Sequence, residues 1–286
     1  MGCKTSIEWA DSTWNPITGC LHGCPYCYAR GYARRFKGSG GETGETHELR
    51  DKHHKVTFEK TEDGKVIPAS VQIGSAEPYP FGFDPTFHEY RLEQPRKWVK
   101  PKNIFVCSMA DLFGYWVPVE WIEKVFKSAL KAPQHRYLFL TKNPGRMMDF
   151  IMNEYWWYGT TITKPTDSFV STDRYNTFLS IEPLQEPFEY EIPEGVEDGI
   201  GKVNWVIIGA ETGNRKDRII PKAEWIKGIV DRCDRNGVPV FMKDSLIPII
   251  GEENMRREFP WETDSLMEAG KEAGADAAQP VLMPGA

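Results

Sequence analysis

The residues best suited to chemistry lie in one short stretch, Cys20-Leu-His-Gly-Cys24-Pro-Tyr-Cys27. A [4Fe–4S] cubane takes one thiolate per iron. Three cysteines on one compact loop therefore hold three irons and leave the fourth open to a small molecule. Gly19 and Gly23 let the backbone wrap closely around such a group. The competing reading is a structural zinc ion with His22 or a remote residue as fourth ligand. Structural zinc loops present paired cysteines in two halves. This stretch has a single close pair, a third cysteine four residues before it, and no second half. His22 sits inside the short gap, where joint ligation would strain the loop. The spacing favours the cluster, with zinc or plain core cysteines as the alternatives.

Cys3, Cys107 and Cys233 are isolated, so the six cysteines do not make a disulfide framework. Cys233 shares an apolar helix face with Trp225, Ile226, Ile229 and Val230, and Cys107 ends an apolar run. Both read as core residues in a reducing compartment.

The elements that must position the cysteine loop follow from about residue 100. Asn103–Met109, Arg136–Thr141, Tyr158–Thr163, Thr177–Ile181, Val203–Gly209 and Val238–Met242 are short apolar runs of buried-strand type. Between them fall a helix starting near Pro118, with Trp121, Ile122, Val125, Phe126, Ala129 and Leu130 on one face, and a helix from Gly145 to about Glu154. A further helix is expected near Ser168–Arg174, and a long one from Lys222 to Arg235, stopped by Asn236-Gly237. With one strand near Thr13–Thr18, the pattern predicts an α/β fold. Its core is a partial or nearly closed (β/α) barrel of six or seven parallel strands, and a doubly wound sheet is the competitor.

Residues 1–262 are expected to form this one barrel domain. Residues 38–80 interrupt the rhythm as a polar insertion or lid, with a hairpin around Thr61-Glu-Asp-Gly64. Residues 263–286, rich in Ala, Gly and Glu, are expected to be a disordered tail. There is no apolar run of membrane-spanning length and no signal-peptide stretch, which points to a cytoplasmic protein without a membrane partner. Gly2 and Ser6 meet only the loose N-myristoylation pattern. A net charge of −6 gives no global field for nucleic acid. Locally, Arg30, Arg34, Arg35 and Lys37 interleave with Tyr28, Tyr32 and Phe36, and Arg91, Arg96, Lys97, Lys100 and Lys102 surround Trp98. A solvated helix face beside an aromatic stripe is the plainer reading of each segment.

In a parallel barrel, polar residues at the C-terminal strand ends face the active site. Here they are Ser108, Asp111, Thr141, Lys142, Thr163, Glu182, Glu211 and Lys243. Each taken alone could be a cap or a loop hydrogen bond; a ring of them at successive strand ends points to a site.

The cysteine spacing, with Tyr26 before the last cysteine, resembles the motif of the radical S-adenosylmethionine (SAM) superfamily. The likeness extends to Ser6-Ile-Glu-Trp-Ala-Asp-Ser-Thr-Trp-Asn-Pro-Ile-Thr-Gly-Cys20, Phe105-Val-Cys-Ser-Met-Ala-Asp-Leu-Phe113, Leu140-Thr-Lys-Asn-Pro-Gly-Arg-Met147, Leu179-Ser-Ile-Glu-Pro-Leu184 and Trp205-Val-Ile-Ile-Gly-Ala-Glu-Thr-Gly213. Together these are similar to an uncharacterised, phage- and prokaryote-associated radical-SAM-like family, over residues 6 to about 261. Many of its members have Val-Glu where this chain has Thr163-Lys164.

The resemblance implies a [4Fe–4S] cluster on Cys20, Cys24 and Cys27, with SAM on the open iron. It further implies reductive cleavage to methionine and a 5′-deoxyadenosyl radical, hydrogen abstraction from an unknown substrate, and an electron donor such as flavodoxin or ferredoxin. By position, Ser108 and Asp111 would meet the methionyl amino group, Tyr26 the adenine and Lys142 the carboxylate, with Thr141 and Thr163 beside the cofactor. Glu182, Glu211 and Lys243 are left for the substrate side. The Cys-Pro-Tyr-Cys-Tyr run and the basic helix after it have a distant likeness to spore photoproduct lyase, so a nucleic-acid-modifying or repair enzyme is one alternative. A non-catalytic iron–sulfur or zinc-binding interaction protein is the other.

Overall fold

The computed structural model describes residues 5–38, 40–50, 55–60, 66–72, 78–150, 153–188 and 199–262. Seven strands form one sheet in chain order: β1 (Ser12–Trp14), β2 (Asn103–Val106), β3 (Arg136–Thr141), β4 (Trp157–Ile162), β5 (Asn176–Ile181), β6 (Trp205–Ile208) and β7 (Val240–Met242). Every neighbouring pair is parallel. A doubly wound sheet would reverse its strand order at a switch point; this order never reverses, and the sheet curls into a half-barrel. The two edges approach each other through Glu8, just before β1. Its carboxylate accepts from the Asp244 amide (2.7 Å) and from Arg257 Nη1 (2.9 Å), both beyond β7.

Strand alternation sorts the apolar residues into two layers. Phe105, Leu138, Trp157, Phe178, Trp205, Ile207 and Phe241 point into the barrel and pack with Trp9. The Trp9 ring lies 4.6 Å from Phe105 and 6.3 Å from Trp205 between centroids, so it plugs the barrel from strand to strand. Gly159 is required here, since a Cβ would stand 2.3 Å from the Phe178 ring. The alternate residues point outward. Ile104, Val106, Tyr137, Phe139 and Tyr158 pack with Trp121, Ile122, Val125 and Ala129 of α2 (Val119–Leu130, after the short α1 described below). Leu179, Ile181, Val206, Ile208 and Val240 pack with Ile226, Ile229 and Cys233 of the long helix Ala223–Asn236. Gly237 ends that helix in the left-handed region (φ 65°).

The first expected strand is broken. Pro16 has no amide to donate, and Ile17–Thr18 leaves the barrel to pair antiparallel with Thr86–His88, which also pairs with His47–Leu49. The strand expected through Met109 stops at Val106, because Cys107 turns the chain with φ 59°. The helix expected over 145–154 is one short turn, Pro144–Met148. The helix expected near 168–174 is absent. There, Thr160 Oγ1 and Thr172 Oγ1 accept the amides of Val170 and Arg174, and these side-chain bonds replace the helical ones.

Within the insertion, Lys55–Lys60 and Val66–Gln72 form the expected antiparallel hairpin, while its Thr61–Gly64 turn lies outside the described residues. Asp84 ties residues 43–44 down, accepting from the Thr43 amide (2.5 Å), Thr43 Oγ1 and the Gly44 amide, so the glycine-rich entry is anchored. The tail 263–286 also lies outside the described residues. No helix among the described residues is long and apolar enough to cross a membrane.

Candidate active site

An open cavity of ≈ 1070 Å³, solvent at its mouth included, lies at the C-terminal ends of the barrel strands. Cys20, Cys24 and Cys27 all stand in its wall, half-buried and free of disulfides. The loop that carries them is shaped by backbone needs. Gly19 has φ 85°, and a Cβ there would lie 2.1 Å from the Asp84 carbonyl, so no other residue fits. Cys27 caps α1 (Tyr28–Arg35), its Sγ accepting from the Arg30 amide at 3.4 Å. Burial pushes the Cys20 thiol up to about 12. The His22 amide opposes this, and the charges of Asp111, Cys27 and Cys24 add to it.

Asp111 is the hub of this wall. One oxygen accepts from Thr141 Oγ1 (2.7 Å) and the Phe113 amide (3.0 Å), the other from the Lys142 amide (2.9 Å) and His22 Nε2 (2.7 Å). Both carboxylate oxygens are thereby occupied, and the cysteine loop is fastened to the end of β3. His22 also meets Trp116 edge-on at 4.9 Å. Ser108 lines the cavity, and its hydroxyl donates to Asn15 Oδ1 (3.2 Å), which also takes the Met109 amide.

The expected ring of strand-end residues assembles around the same space. Tyr26 and Lys142 face each other across it, with Nζ 5.5 Å from the ring centroid. Burial lowers the Lys142 pKa, and Cys24, Asp111, Asp167 and Glu182 oppose the shift. The Tyr26 hydroxyl is pushed up, by burial first and then by Cys24. Glu182 and Lys243 pair with each other on the opposite wall; a Cβ on Gly209 would come within 3.1 Å of the lysine stem and 3.3 Å of the carboxylate. Glu211 is at the wall too, but its carboxylate is held bidentate by Arg215 (2.7 and 2.8 Å), and that contact lowers its pKa. Thr163 stands outside the wall. Its amide and hydroxyl both donate to Asp167 (2.7 and 3.0 Å), so it closes a loop rather than facing the cavity.

Sequence reasoning missed Thr161 and Ser180, two inward residues one step before the strand ends. The Ser180 hydroxyl is buried with no hydrogen-bond partner among the described residues. Their signal was alternation: both share the inward row with Gly159 and Phe178. Asn15 and the hub role of Asp111 were likewise unforeseen.

The arrangement defines an α/β half-barrel with a thiol-bearing cavity at its C-terminal mouth, largely apolar and set with polar strand-end residues. The chain belongs to the DUF5131 family, described as proteins of unknown function, whose family model matches residues 4–248. Among solved structures it is similar to a cysteine-to-alanine mutant of spore photoproduct lyase with dinucleoside spore photoproduct. The two share 11% identity over 85% of this chain and 79% of that one, with a TM-score of 0.41, a likeness too distant to carry a functional argument. No curated protein matches the chain.

Proposed function

We propose that the chain is a radical SAM enzyme whose Cys20, Cys24 and Cys27 hold a [4Fe–4S] cluster beside a SAM site in the cavity. One observation carries the reading: three unbridged thiols on one loop open onto a largely apolar cavity with a few convergent polar groups, at the mouth of a parallel half-barrel. The donor set fits a cluster better than a single ion. A cubane takes each thiolate on a different iron. His22, the zinc candidate, has its Nε2 on Asp111. Cys27 Sγ accepts the Arg30 amide, which ties the third thiol to the start of α1.

When bound, the cluster supplies the electron that cleaves the sulfonium of SAM, drawn from a donor such as flavodoxin or ferredoxin. The protein's own residues do the rest. Lys142 offers a positive charge for a carboxylate, and Tyr26 offers a flat ring beside the loop. Ser108 and Thr141 frame the same wall, and Asp111 acts as a positioning residue that fixes the loop against β3. Glu182 and Lys243 face the substrate side as a ready hydrogen-bonding pair. The aromatic plug beneath excludes water from below.

The test is anaerobic reconstitution. The wild-type chain is expected to bind about four irons and to release 5′-deoxyadenosine from SAM with dithionite. Cys20→Ala, Cys24→Ala or Cys27→Ala should each abolish the cluster absorption, while Cys107→Ala and Cys233→Ala keep it. Stoichiometric zinc in protein that cannot assemble a cluster would overturn the proposal.

A further inference from the structure

The helix leaving the cysteine loop carries a feature that the cluster reading does not use. On α1 and its C-cap, Tyr28, Tyr32 and Phe36 stand at four-residue intervals and are 60%, 51% and 46% exposed. That spacing sets the side chains in one stripe, with the Tyr32 and Phe36 rings tilted against each other at 4.8 Å between centroids. Packing accounts for only part of it: Tyr32 meets the buried Tyr79 edge-on at 6.0 Å, while the buried side of α1 itself is Ala29 and Ala33. Large aromatics left in water in a row mark a contact surface rather than chance exposure.

The charges on α1 and the turn after it are all positive. Arg34, Arg35 and Lys37 are exposed beside it. Arg34 shares Glu42, while Arg35 and Lys37 have no ion pair among the described residues. The stripe begins inside the site: Tyr28 lines the cavity and donates its hydroxyl to the Ser108 carbonyl (2.7 Å). Across the mouth, the loops after β4 and β6 expose Lys164, Lys216 and Arg218. Of the acids in those loops, Asp167 is engaged by Thr163, Glu211 is paired with Arg215, and Asp173 and Asp217 are exposed. In a chain of net charge −6, α1 and the loop after β6 thus each carry an excess of cations, while the loop after β4 is balanced by Asp167 and Asp173.

We infer that this face binds single-stranded nucleic acid. Bases stack on Tyr28, Tyr32 and Phe36, phosphates lie along Arg34, Arg35 and Lys37, and one nucleotide is delivered into the cavity as substrate. Only that last clause rests on the proposed enzyme; the binding stands on the surface alone. Stacking platforms flanked by cations suit single strands of any sequence, since every base has a π-face. A duplex hides its base faces, with bases 3.4 Å apart along each strand. An acidic protein such as an electron donor would satisfy the cations but leave the ring spacing and the link to the cavity unexplained.

The experiment is fluorescence anisotropy on the reconstituted full-length protein, with iron content measured in parallel. Labelled dT20, U20, a 20-base-pair duplex and heparin serve as probes across a salt series. Either single strand, or both, should bind more tightly than the duplex, and the DNA and RNA arms tell the two sources apart. Three phosphate contacts predict a log–log salt slope of about −2. Tyr32→Ala and Phe36→Ala should each weaken binding roughly 5- to 100-fold with the slope unchanged, and Tyr32→Phe should retain it. Arg35→Glu and Lys37→Glu, on exposed positions that leave the fold intact, should reduce the slope. Equal binding of heparin with no effect of Tyr32→Ala, or docking of ferredoxin or flavodoxin on this face without strand binding, overturns the inference. Protein that holds its cluster and SAM but binds no strand overturns it while leaving the enzyme reading in place. Strand binding by protein that assembles no cluster supports it and counts against the enzyme reading.

Discussion

The lower and upper halves of the barrel interior are built from the same inward rows, yet they hold opposite kinds of residue. On β5 the inward row runs Phe178, Ser180 and then Glu182; on β3 it runs Leu138, Leu140 and Lys142. On β6 it goes from Trp205 and Ile207 to Glu211, and on β7 from Phe241 to Lys243. Backbone geometry is the same in both halves, so the change comes from side-chain chemistry alone. The lower half is dry, aromatic and closed by Trp9. The upper half keeps an ion pair, a hydroxyl unpartnered among the described residues and three thiols at the edge of water. Stability is therefore concentrated below, and the upper half is free to carry groups that stability alone would not select.

The largest effect should come from breaking the lower half. Trp205 is fully buried and packs against Trp9, Phe178, Phe241 and Trp261. Trp205→Ala removes a ring from the centre of the plug and should cost about 3–5 kcal/mol in urea unfolding. Iron bound per folded chain should be unchanged. A loss below 1 kcal/mol would mean that the plug does not hold the barrel together.

Asp111→Asn tests the upper half at its hub. The amide nitrogen cannot accept, so on the oxygen it replaces a backbone N–H is left facing another donor. His22 can change tautomer to adapt, but the Lys142 amide cannot. The expected cost is about 1–3 kcal/mol, with slower cluster assembly because the cysteine loop loses its fastening to β3. Unchanged stability together with normal assembly would take that positioning role away from Asp111.

Much of this contrast could be read from the sequence, and the missing part has a physical reason. Lys142, Glu182 and Lys243 announced themselves as polar residues directly after apolar runs, and the cysteine loop by its spacing. Thr161 and Ser180 did not, because both types are at home in strands and only the register showed which way they point. Asp111 was foreseen as a ligand contact. Its bonds in the structure join residues 22, 113, 141 and 142, a convergence that only the folded half-barrel brings about. His22 was weighed as a metal ligand, when its partner is that carboxylate. The broken first strand had its signal in Pro16, and the absent helix near 168–174 had one in its flanking threonines.

The smallest effect concerns the rim, where Glu211 is buried and Arg215 closes over it. Arg215 lowers the Glu211 pKa below its ordinary value of 4.5, first through its hydrogen bonds and then through its charge. A carboxylate with a lowered folded-state pKa contributes stability above its unfolded value, and that contribution is lost as pH falls through the folded one. Arg215→Ala removes the cause and uncovers the carboxylate to water. Thermal unfolding followed from pH 7 to pH 3 should therefore show the wild type melting slightly above the variant at neutral pH. The gap should close once pH drops below about 4.5, as Glu211 takes up a proton in both proteins. A gap that persists undiminished at pH 3 would mean that Arg215 acts through packing of its stem rather than through Glu211. A gap absent at every pH would mean that the exposed guanidinium is screened, as surface pairs commonly are.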